Sequence, residues 1–211
     1  MDIIIFGGSG RTGSEFVRQS LRQGHRVTAF VRTPSKLAHF SDENLTIIEG
    51  DLKNMEEVRA ALSGKDAVIS ALGVSKTLHH DPEVIEGIAT IVKAMEKEDI
   101  KRCIYVSVFL ANSRPGQFSF FVNNILKRII RKEVHDHEVK EKLIRDHVKE
   151  YTIVRPVRLT DQAFTGTYHH GESLAIKNFL PSIARADVAH FLLQQLGHSA
   201  YKNKAVLVAG R

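Results

Sequence analysis

Five apolar-leaning residues, Asp2-Ile3-Ile4-Ile5-Phe6, run directly into Gly7-Gly8-Ser9-Gly10-Arg11-Thr12-Gly13, and a stretch with helical apolar spacing follows over 12–23. A buried strand that breaks into glycines and restarts as a helix leaves few choices of fold. Gly7 permits the sharp turn out of the strand, Gly10 lets backbone approach a ligand, and Gly13 lets the helix pack close to the sheet. Free N–H groups of the turn, Ser9 among them, and the positive end of the helix dipole then make a seat for a pyrophosphate. The spacing is G-x-x-G-x-x-G, shifted from the G-x-G-x-x-G form. The turn predicts a dinucleotide site; the plainer alternative is a glycine turn that only serves packing.

The remaining apolar runs keep the rhythm. Strands are expected at 2–6, 26–31, 45–49, 66–71, 101–106, 151–155 and 204–208, several rich in β-branched residues. Helices are expected at 12–23, 54–63, 82–98, 137–149 and 185–197, with Asn54, Asp81 and Asp187 as starts. Such alternation implies right-handed crossovers and an α/β, Rossmann-type, doubly wound and mainly parallel sheet with helices on both faces, three layers in all. No repeat, low-complexity tract or linker divides the 211 residues, so one domain over 1–211 is expected. Helical capacity at 118–131 falls outside the rhythm and marks 112–135 as a lid or a substrate-pocket insertion.

An NAD site places a carboxylate about twenty positions beyond the glycine turn, at the end of the second strand. Here that region reads Ala29-Phe30-Val31-Arg32-Thr33-Pro34-Ser35-Lys36 and holds no acid. Arg32 and Lys36 suit the 2′-phosphate of NADP, so NADP(H) is favoured over NAD(H), unless both are only surface charges. Arg11 faces either the same phosphate or solvent. Asp51, after the third strand, either accepts from the adenine amino group or shapes a turn. Ala71-Leu72-Gly73 closes the fourth strand, where small residues let a cofactor pass over the sheet edge.

A formal charge of +6 raises the question of nucleic acid, but acidic residues are interspersed throughout, and Lys127-Arg128-Ile129-Ile130-Arg131-Lys132 is soon followed by Glu133 and Asp136. No nucleic acid is expected as a partner. No stretch approaches the roughly 20 apolar residues of a membrane span, and no leader pattern follows Met1, so no membrane and a cytoplasmic location are expected. Cys103, the lone cysteine, sits in an apolar run. The pairs His79-His80, His135-x-His137 and His169-His170 do not share a helical face, and no metal site is expected.

The residues as a set resemble the atypical short-chain dehydrogenase/reductases with an NAD(P)-binding, NmrA-like fold, and within them the biliverdin-IXβ reductase/flavin reductase group. The resemblance rests on Gly7 to Gly13, Val31-Arg32 with Ser35-Lys36-Leu37, Gly50-Asp51-Leu52, and Asp66-Ala67-Val68-Ile69 leading to Leu72-Gly73. It continues through Val106-Ser107-Val108-Phe109-Leu110, Tyr151-Thr152-Ile153-Val154-Arg155-Pro156, Asp161-Gln162 and Thr165-Gly166-Thr167-Tyr168. It implies Gly10, Arg11, Thr12 and Gly13 at the pyrophosphate, Arg32 and Lys36 at the 2′-phosphate, and Asp51 with Leu52 at the adenine. Leu72, Gly73, Ser107 and Pro156 would surround the nicotinamide half. Segment 112–135 is individual and lies where that group builds its substrate pocket.

Short-chain dehydrogenases exchange a proton through a Tyr-x-x-x-Lys pair. The four tyrosines here, Tyr105, Tyr151, Tyr168 and Tyr201, are followed four positions on by Phe109, Arg155, Glu172 and Ala205. Reversible alcohol oxidation is therefore not expected, and sugar-nucleotide epimerisation is disfavoured by the same lack. Hydride transfer to a small planar electron acceptor, a flavin, quinone or bilin, asks less of the protein. Ser107, at the C-terminal end of the fifth strand, is the candidate catalytic residue, hydrogen-bonding nicotinamide or acceptor, unless it only satisfies strand-end backbone. His137 stands where relatives carry a lysine, and either lines the acceptor pocket or belongs to a solvated helix face. Phe118, Phe120 and Phe121 either stack an acceptor or pack. Two functions follow: an NADPH-dependent reductase, or a non-catalytic NADP(H)-binding redox sensor, in either case a monomer or small homo-oligomer.

Overall fold

The computed structural model describes residues 1–73, 80–114, 116–176 and 178–211. Strands β1 (Asp2–Phe6), β2 (Arg26–Val31), β3 (Leu45–Glu49), β4 (Ala67–Ser70), β5 (Arg102–Val106) and β6 (Glu150–Pro156) form the expected parallel sheet. With the short β7 (Arg158–Thr160), β8 (Tyr168–Gly171) and β9 (Ser182–Ala184), and finally β10 (Lys204–Gly210), the main sheet runs β3-β2-β1-β4-β5-β6-β10-β8. Every neighbour is parallel except β8, which pairs antiparallel with β10. The order reverses between β1 and β4, the switch point at whose carboxyl side open α/β sheets bind ligands.

Side-chain alternation along each strand divides the core into two layers. Ile3 and Ile5 enter one, with Phe16 and Val17 of α1 (Arg11–Arg22) and Val188 and Leu192 of α6 (Arg185–Gly197). Ile4 and Phe6 enter the other, with residues of α2 (Met55–Leu62), α3 (Pro82–Lys97) and α5 (Arg131–His147). Both faces of the sheet are thus covered. Arg102 is buried at the far end, its Nη2 bonding Thr152 Oγ1 at 2.8 Å and the Gln195 carbonyl at 2.7 Å, which ties β5, β6 and α6 together.

Asn54 and Asp81 cap their helices as read, Asn54 accepting from the N–H groups of Glu56 and Glu57 and Asp81 from Val84. Asp187 does not cap α6, which starts two residues earlier; its buried carboxylate instead accepts from the N–H groups of Thr165 and Gly166, each at 2.9 Å, and pins that loop. Helix α5 begins at Arg131 rather than 137. Segment 118–131 is helical from Phe120, with a widened turn over Val122–Leu126 and the short α4 (Lys127–Ile129). The small parallel pair of β7 with β9 was not expected from the sequence.

Candidate functional site

The turn after β1 is built around close contacts. Gly7 has φ +86°, and a Cβ there would stand 2.6 Å from the Ala71 carbonyl oxygen. A Cβ on Gly13 would stand 2.1 Å from the Gly7 carbonyl oxygen, so α1 can lie against the turn only with glycine there. Gly10 donates its N–H to Gly7 at 3.0 Å and caps α1 with ordinary extended backbone. The first turn of α1 carries no acid, leaving its N–H groups and dipole to an anion. This cradle fits a pyrophosphate.

A cleft of about 770 Å³ opens over the turn, along the carboxyl ends of β1, β2, β4, β5 and β6. Gly7, Ser9, Gly10, Arg11, Thr12, Arg32, Lys36, Leu52, Ala71, Leu72, Gly73, Ser107 and Pro156 all line it. Gly13 lies beneath the turn. Asp51 lies outside the lining and turns its Oδ1 to the N–H of Lys53 at 3.0 Å. Phe30 and Gly50, not singled out from the sequence, also form the wall; a Cβ on Gly50 would meet the Phe30 ring at 2.3 Å.

The two ends of the cleft differ in chemistry. Arg32 and Lys36 are exposed, and neither side chain forms an ion pair among the described residues. Arg11 lines the cleft with an exposed side chain, and its Nη1 lies 2.7 Å from Asp161, which also binds Arg185. The opposite end is apolar, formed by Leu126, Ile130, Leu159, Leu180 and Pro181. Of the phenylalanines read as candidate stackers, Phe118 is buried against Phe109, Phe121 stacks on Phe179, and Phe120 faces solvent; none lines the cleft.

Between the ends stands a polar cluster that periodicity could not disclose. Ser107 is buried and donates its hydroxyl to Glu141 Oε1 at 2.7 Å. Glu141 is fully buried and also accepts from Asn112 at 2.9 Å, Arg145 at 2.8 Å and both Nε and Nη2 of Arg155, at 2.8 and 2.5 Å. Burial would raise its pKa, but the Arg155 bonds and charge, with Ser107 and Asn112, hold it below the ordinary value. The Ser107 proton is therefore committed, and its lone pairs are what it can offer a ligand. Asn112 reaches Glu141 from left-handed backbone at φ +48°, a conformation asparagine tolerates.

His137 is buried and lines the cleft, which corrects the solvated-face reading. Its Nδ1 lies 2.7 Å from the hydroxyl of Tyr105, a fully buried group with no other acceptor among the described residues, so the tyrosine donates and the imidazole carries its proton on Nε2. Burial pushes the Tyr105 pKa up and that of His137 down, so both stay neutral. Glu133, one turn earlier on α5, completes this wall. Cys103 is buried, its thiol pushed up to about 12 by desolvation, and is no nucleophile. Among the described residues no three His, Cys, Asp or Glu side chains gather as a metal site; His79 of the first histidine pair lies outside them. No helix among them is long and apolar enough to cross a membrane.

The NAD(P)H-binding family model matches residues 7–199, from the glycine turn almost to the last strand. The chain belongs to that family. It is thereby placed among the NAD(P)-binding, Rossmann-type atypical short-chain dehydrogenases and NmrA-like proteins, an oxidoreductase-like family. The photosystem II assembly factor Ycf39 of Synechocystis is 28% identical over 141 residues, 66% of this chain but only 43% of its own length. The crystal structure of the oxidoreductase ylbE from Lactococcus lactis superposes with a TM-score of 0.84 at 20% identity, covering 100% of this chain and 91% of that one. A Veillonella parvula short-chain dehydrogenase/reductase, solved in complex with NADP, superposes with a TM-score of 0.79 at 20% identity over 100% of this chain and 94% of its own.

Proposed function

We propose that the chain is an NADPH-dependent reductase that passes hydride to a flavin, quinone or bilin-like acceptor, resembling the biliverdin-IXβ/flavin reductases. The reading rests on one observation: a single cleft joins a pyrophosphate cradle and a basic end to an apolar end. Arg32 and Lys36 would hold the 2′-phosphate, Ser9 to Thr12 the pyrophosphate, Leu52 with Asp51 the adenine side, and Leu72, Gly73, Ser107 and Pro156 the nicotinamide. Bound NADPH would supply the hydride; the protein orients the two rings and excludes water from between them. Residues 1–211 would act as one nucleotide-binding domain. Leu126, Ile130 and Glu133 support segment 112–135 as an acceptor-pocket insertion, because all three line the cleft.

The test is NADPH consumption by purified protein with FMN, riboflavin and menadione. Turnover dependent on the acceptor is expected. One observation favours a second reading, a redox sensor: α5 carries no Tyr-x-x-x-Lys pair, and Tyr105 is sequestered against His137. Tight NADPH binding without turnover across the panel would select it.

A further inference from the structure

Reduction of a conjugated carbonyl by hydride leaves charge on oxygen, and a proton must arrive there. The hydroxyls beside the cleft are poor sources: the Ser107 proton is held by Glu141 and the Tyr105 proton by His137. Among the described residues that line the cleft, Glu133 is the one acid. It stands on α5 one turn before His137, on the same helix face, and Leu126 and Ile130, which precede α5, line the same cleft. Its half-buried carboxyl makes no hydrogen bond or ion pair among the described residues, so it is free to meet a ligand.

We propose that Glu133 is the proton donor to a conjugated-carbonyl acceptor, a quinone or enone, bound against Leu126 and Ile130. This rests on the reductase reading and narrows its acceptor. The acceptor gains a hydride, two electrons and one proton, from reduced nicotinamide, which is oxidised to its cation. The Glu133 O–H bond breaks as the new O–H bond forms on the acceptor, and water reprotonates the carboxylate. A reduced flavin tolerates its anionic form near neutrality and makes no such demand.

Burial raises the Glu133 pKa, with Lys140 opposing and Asp136 adding to the rise. The other charges around it are largely committed: Asp136 to His80 and the N–H of Asp81 on the approach to α3, Arg155 of β6 to Glu141, and Arg185 of α6 to Asp161. Lys127 of α4 bonds Ser113, and neither Arg128 nor, across the cleft, Arg158 of β7 pairs with Glu133. A protonated carboxyl is thereby retained above the ordinary value of 4.5.

The experiment measures kcat against pH for the full chain and Glu133→Gln, with NADPH and either menadione or FMN, alongside NADPH affinity and infrared titration of carboxyl groups. The wild type should lose menadione turnover as pH rises and show a carboxyl band titrating above 4.5 that Glu133→Gln lacks. The variant should lose roughly 100-fold or more in menadione kcat, with a flattened profile. NADPH affinity should stay within about twofold, since no cofactor contact is assigned to Glu133. Unchanged menadione kcat in an active enzyme, or equal losses of kcat and NADPH affinity, would overturn the proposal while leaving the reductase reading standing. Absence of wild-type turnover with both acceptors would sink that reading, and this inference with it.

Discussion

Four side chains donate to the Glu141 carboxylate, which is itself fully buried and out of reach of water. Glu141→Gln leaves Arg155 facing an amide in a buried site and should cost about 3–5 kcal/mol, read as a fall in the urea midpoint. The pH dependence has a definite sign. A carboxyl whose folded pKa is depressed contributes stability that is complete above its unfolded value of 4.5 and is lost as pH falls through the folded one. The wild type should therefore lose stability on acidification below 4.5, and Glu141→Gln should lose less over the same range. Ser107→Ala removes one donor to that carboxylate and the lone pairs that face the cleft; hydride-transfer turnover should fall about tenfold or more with small change in stability. Intact turnover and NADPH affinity in that variant would remove Ser107 from the site. Ser107 was legible because it ends a strand at the ligand side of the sheet. Glu141 was not, since apart from Arg145 on its own helix its partners lie 14 to 34 residues away and only the fold assembles them.

Elements written in apolar periodicity were readable to within a residue or two, as β1, β2, β3 and α6 show. Helix α5 was not, because its buried face includes Asp136, His137, Lys140 and Glu141, polar residues that carry no amphipathic signal. Strand β8, Tyr168–Gly171, escaped for a similar reason: its two histidines are exposed, and only the edge of β10 makes it a strand. The contact of α1 with the glycine turn was legible from spacing alone, and it supports a sharp prediction. Gly13→Ala puts a methyl 2.1 Å from the Gly7 carbonyl oxygen, which cannot yield without opening the turn. The variant should lose NADPH binding and about 2 kcal/mol or more of stability by thermal unfolding. A fully stable Gly13→Ala with unchanged affinity would mean that the turn adjusts freely.

Taken as a whole, the molecule gathers a basic mouth, a glycine cradle and an apolar end into one cleft over the switch point of the sheet. The first two were legible because each is carried by particular residue types at a short spacing, the glycines of 7–13 and the cations Arg32 and Lys36. The apolar end draws on three separated segments, from Leu126 to Pro181, and appears only when the chain is folded. Cofactor selectivity tests this arrangement most directly, by calorimetric titration of NADPH and NADH into the wild type and Arg32→Glu. Two exposed cations meeting the 2′-phosphate should make NADPH at least about tenfold tighter than NADH in the wild type, and Arg32→Glu should abolish or reverse the ratio. Equal affinities in the wild type, or a ratio untouched by the substitution, would contradict the assignment of the basic mouth.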